Sequence, residues 1–94
     1  MQLGGSISLS GFKDLEGSKM IVIKKIVGNY VKKMQEKKNN FEGINIHLKQ
    51  VHSNQFEIHA KAVFDGNPYN SEVVDFNLFF AVDKVLGKIL EELN

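Results

Sequence analysis

The sequence contains no cysteine, no tryptophan and no arginine, and a single proline among its 94 residues. Without cysteine there are no disulfides, no thiolate metal sites and no thiol nucleophile. Without arginine there is no forked donor for two-point recognition of a phosphate or carboxylate, so any anion contact falls to lysine. No apolar run reaches the length needed to cross a bilayer, and the first five residues do not read as a signal peptide. A cytoplasmic protein is expected. The length suits one domain, 1–94, with residues 1–5 as a flexible, glycine-containing lead-in.

Charge is present but unevenly placed. Residues 18–40 hold seven of the twelve lysines and one of the eleven acids, a local balance of +6 inside a chain of net +1. The rest of the chain is therefore acidic. This basic stretch has helical periodicity: Met20, Ile23, Ile26, Val27, Tyr30, Val31 and Met34 recur at spacings of three and four. Ser18 is placed to cap its start, and Asn39 and Asn40 to end it. Ile21 and Val22 fall off the apolar stripe and require some other cover. The lysine face has two readings. It is either a solvated surface that keeps the helix soluble, or a positive field that draws a polyanion.

Around this helix the chain alternates. Ser6 to Ser10 reads as a short strand, followed by Gly11 and a connector in which Phe12 and Leu15 plug the core. Strands over Ile44 to Val51 and Gln55 to Phe64 each put apolar residues on one face. For both faces to meet one core, paired positions must sum to an even number. A loop of His52, Ser53 and Asn54 does this, pairing Leu48 with Ile58, His47 with His59 and Lys49 with Glu57. Asp65 to Asn70 reads as a loop, and Ser71 to Phe76 as a fourth strand with Val74 and Phe76 inward and Val73 outward. Asn77 caps a final helix ending near Leu93, with Leu78, Val82, Val85, Leu86, Ile89, Leu90 and Leu93 inward. Phe80 and a helix-weakening Gly87 stand on its polar side. The order strand, helix, three strands, helix predicts an α+β, two-layer domain with both helices on one sheet face.

Several motifs together resemble the short ribosome hibernation factors, the hibernation-promoting factor and ribosome-associated inhibitor (protein Y) group. ISLSGF with Leu15-Glu16, YVKKM in the first helix, FEGINIHL, and NLFFAVDKVLGKIL with Ala81 and Asp83 are similar to that group in content and order. The resemblance implies a β-α-β-β-β-α domain with a four-stranded sheet, laid out like a double-stranded-RNA-binding domain. It implies a protein that binds the small ribosomal subunit, contacts rRNA phosphates through basic residues, and holds ribosomes inactive in translation regulation and stress response. By matching position it nominates Lys32 and Lys33, with Lys24, Lys25, Lys37 and Lys38 around them, and Lys84 and Lys88 in the second helix. The chain departs from the group in ending its last helix with Glu91-Glu92 rather than a basic run.

Chemistry of other kinds finds little footing. His47 and His59 face each other but form only half a usual zinc site. No serine has the setting of a nucleophile elbow and no carboxylate pair sits in an apolar pocket, so no enzyme activity, metal or cofactor is expected. The alternative function is a protein-interaction or self-association module with no RNA role, contacting a partner or a second copy as a homodimer. Phe80, Val63 and Val73 are its candidate contacts.

Overall fold

The computed structural model describes residues 6–51 and 54–93, with Val51 described in its backbone alone. The expected lead-in at 1–5 and the first two residues of the expected loop, His52 and Ser53, lie outside the described residues. Six elements follow in order: β1 (Ile7–Ser10), α1 (Gly17–Lys37), β2 (Phe41–Val51), β3 (Gln55–Phe64), β4 (Asn67–Asp75) and α2 (Leu78–Glu92). The strands form one mixed sheet in the order β1-β2-β3-β4. β1 lies parallel to β2, the arrangement that requires a crossover such as α1 between them.

The expected register of β2 and β3 is the observed one. Leu48 faces Ile58, His47 faces His59 and Lys49 faces Glu57, and Asn54 takes a positive φ of 60°. β2 starts earlier than its alternation suggests, through an irregularity at Phe41/Gly43.

β4 differs from expectation. Asp65 and Gly66 have φ of 52° and 78°, as a two-residue type I′ hairpin turn requires, and Asn67 already pairs with Phe64. The turn consumes two residues rather than six, so the strand starts earlier, at Asn67. Loops of either length leave the parity unchanged; it is the apolar spacing of Val74 and Phe76 that points to the wrong face. Val73 sits opposite Ile58 and is buried, whereas Val74 and Phe76 are 50% and 67% exposed. Val73 is therefore a core residue and not a surface contact. Glu42 reinforces this turn by accepting from the Gly66 backbone N–H.

α1 buries Met20, Ile23, Val27, Val31 and Met34, and holds Ile26 and Tyr30 half-buried. Ser18 does not cap it. The N-cap is Glu16, whose carbonyl accepts from Lys19 and Met20, so Ser18 lies inside the first turn. Ile21 and Val22 are not covered as expected, being 60% and 40% exposed. In α2 the expected cap is present: Asn77 Oδ1 accepts from the Phe80 N–H at 3.0 Å. Its Ala81, Val82, Val85, Leu86 and Ile89 are wholly buried and share one core with α1 and the inner sheet face. Among the described residues no helix is long and apolar enough to cross a membrane.

Candidate nucleic-acid interface

Two contacts fix how the helices sit together. The Tyr30 hydroxyl donates to Asp83 Oδ1 at 2.9 Å, and Lys37 Nζ donates to the Leu90 carbonyl at 3.0 Å. Residue numbers rise together across these contacts, so α1 and α2 run in the same direction. Gly87 lies in this seam rather than on the polar side. A Cβ there would stand 3.4 Å from the Tyr30 hydroxyl, at ordinary contact distance.

Burial, then the Asp83 hydrogen bond and charge, hold the Tyr30 phenol above its ordinary value of 10.0. Because folding raises this pKa, the stability it contributes is present below the unfolded value and lost as pH rises through the folded one. Asp83→Asn should therefore move the Tyr30 midpoint down, read by ring absorbance or ring NMR shifts. An unmoved midpoint would refute the contact.

The structure divides the eight candidate lysines. Lys33 Nζ stands 5.3 Å from the Tyr30 ring centre, and Lys84 Nζ 5.7 Å from that of Phe80. Lys37 serves the carbonyl at the end of α2. Lys88 Nζ reaches the Glu72 carbonyl at 3.2 Å, guarding the open edge of β4. Lys88 thus lies away from α1, and Asp83 stands between the two helices.

Lys24, Lys25 and Lys32 are exposed on the outer face of α1, with the half-buried Lys38 at its end. Their side chains make no hydrogen bond or ion pair with the described residues. Indeed, no lysine among the described residues lies within ion-pairing distance of a carboxylate; the ion pairs there belong to His59. No ion pair therefore ties up these amines, and the one acid of α1, Glu36, lies one turn beyond Lys32.

The other sheet face carries a polar row in which Ser10, His47, His59 and Glu72 are successive register partners. It crosses a groove of about 1040 Å³ bounded beyond β4 by Lys88, Glu91 and Glu92. Ser10 Oγ and His47 Nδ1 are hydrogen-bonded at 2.8 Å. His59 is held between Glu57 and Glu72, through Nε2 and Nδ1 respectively. The bond to His59 keeps the Glu57 carboxyl below its usual value. The two imidazoles thus face each other but turn to different partners. No group of three or more potential metal ligands forms among the described residues. Val63 is half-buried on this face, and Phe80 is 51% exposed on α2.

No family sequence model matches the chain, and no curated protein matches it. Solved structures do. The N-terminal domain of protein Y from Thermus thermophilus superposes with a TM-score of 0.70 at 11% identity, covering 99% of this chain and 96% of that one. A ribosomal subunit interface protein from Coxiella burnetii gives 0.67 at 14%, covering 94% and 92%. The chain has their fold. At such identities the likeness speaks to architecture, and the side chains must argue the function. What sequence reasoning missed in the basic face is its sorting. Helical spacing alone sets Lys33 beside Tyr30 and Lys84 beside Phe80, but the partners of Lys37 and Lys88 depend on where α2 lies against α1 and β4.

Proposed function

We propose that this chain is a cytoplasmic, non-enzymatic module that binds the small ribosomal subunit and represses translation in the manner of a hibernation factor. The observation that carries the proposal is the outer face of α1, where Lys24, Lys25 and Lys32 have no carboxylate partner among the described residues. The shared fold with a protein Y domain and a ribosomal subunit interface protein supports the choice of partner. Lysine supplies charge without base preference, which suits structured RNA presented through its backbone and shape. Lys33, Lys37, Lys38, Lys84 and Lys88 contribute less under this proposal, because four of them already serve neighbouring groups and Lys38 is half-buried. Co-sedimentation with 30S subunits at low salt tests it: the native chain pellets with the subunit and the Lys24/Lys25/Lys32→Glu variant stays in the supernatant.

A second reading is favoured by the exposure of Phe80 on α2 and of Val74 and Phe76 at the end of β4. An exposed aromatic suits contact with a protein partner or a second copy. It predicts a mass in solution that rises with concentration, by sedimentation, and returns to monomer with Phe80→Ala. A native chain that is monomeric throughout removes the homodimer.

A further inference from the structure

Gly28 is an interior residue of α1, where glycine weakens a helix relative to alanine. Nothing within the described structure accounts for it. A Cβ built there meets no heavy atom within 4 Å, in contrast to Gly87, where the Tyr30 hydroxyl stands close. Gly28 is also exposed, so its missing side chain fills no need of the core.

Its neighbours give it a meaning. Lys24 lies one turn before Gly28 and Lys32 one turn after, each about 6 Å away along the axis, with Lys25 beside them on the same outer face. The result is a bare spot on a rigid rod, framed by three amines that make no hydrogen bond or ion pair with the described residues.

We propose that Gly28 is the seat of a nucleic-acid strand: a sugar–phosphate backbone rests against α1 there, with Lys24, Lys25 and Lys32 closing on its phosphates. The inference rests on the ribosomal reading above and adds the place where the RNA touches the helix. Charge complementarity selects a polyanion. Lysine, a mobile point charge without arginine's fork, fits a backbone whose phosphates need not be held in one orientation. A side chain at position 28 would hold the strand off and lengthen the reach of all three amines together.

The test separates stability from binding. Melting temperatures and affinity for isolated 30S subunits are measured for the native chain, Gly28→Ala, Gly28→Leu and Lys24/Lys25/Lys32→Glu. Both glycine variants should melt several degrees higher, because each is a better helix former. Gly28→Leu should nevertheless bind about tenfold more weakly, with Gly28→Ala between it and the native chain. Native affinity in Gly28→Leu, with binding lost in the lysine variant, overturns the seat and leaves the ribosomal reading standing. Native affinity in the lysine variant overturns both.

Discussion

Gly11→Ala is expected to destabilise the protein by about 3 kcal/mol or more, from backbone strain and overpacking together. Gly11 ends β1 with φ of +81°, a region that penalises a side chain by about 1–2 kcal/mol. An alanine Cβ would also stand 2.0 Å from the Leu48 carbonyl oxygen. That oxygen belongs to β2, a central strand paired with both β1 and β3, so it has little freedom to retreat. Overpacking of this kind adds about 1–3 kcal/mol. For a domain of this size each kilocalorie lowers the melting temperature by about 4–8 °C, so a fall beyond about 10 °C should appear in a circular dichroism melt. Gly17→Ala is the control. A Cβ there meets nothing within 4 Å, and its melt should stay near that of the native chain. A Gly11→Ala protein that also melts like the native chain would refute the close approach of β1's end to β2.

Reversing the charge of Lys24, Lys25 and Lys32 together is expected to weaken binding to 30S subunits at least about a hundredfold at 50 mM salt. The size follows from what each change does. It removes an amine that neutralises a phosphate and puts in its place a carboxylate that repels one. Stability should hardly change, because the three side chains are exposed and bonded to nothing in the described structure. The matching reversal of Lys33, Lys84 and Lys88 should cost much less affinity. Their amines already stand over Tyr30 and Phe80 or on the Glu72 carbonyl. Equal losses from the two triples would mean that total charge governs binding and the outer face of α1 has no special part.

Some of this protein can be read directly from its residues. The apolar stripe of α1 and the alternation in β2 and β3 are one-dimensional signals, and parity alone was enough to pair Leu48 with Ile58. β4 obeys the same parity. Asp65-Gly66 followed by Asn67-Pro68 contains two turn signals, but loops of two and six residues both place Val73 inward, whereas the apolar spacing of Val74 and Phe76 points to the opposite face. Only the pairing of Phe64 with Asn67 decides between the two loops. The lysines are visible in the sequence as a cluster, and helical spacing sets Lys33 beside Tyr30 and Lys84 beside Phe80, but the engagement of Lys37 and Lys88 comes from tertiary packing. Gly87 stands on a face that reads as solvent in the sequence, but it borders Tyr30, 57 positions away in the chain.

The most direct test of the account is the salt dependence of binding to 30S subunits, measured for the native chain and for Lys24/Lys25/Lys32→Gln. Glutamine removes charge without adding repulsion, so the change in slope counts the phosphates these amines neutralise. The account predicts a steep fall of log K with log salt for the native chain and a slope shallower by about three in the variant. A native chain whose binding ignores salt, or a variant with the native slope, would contradict it.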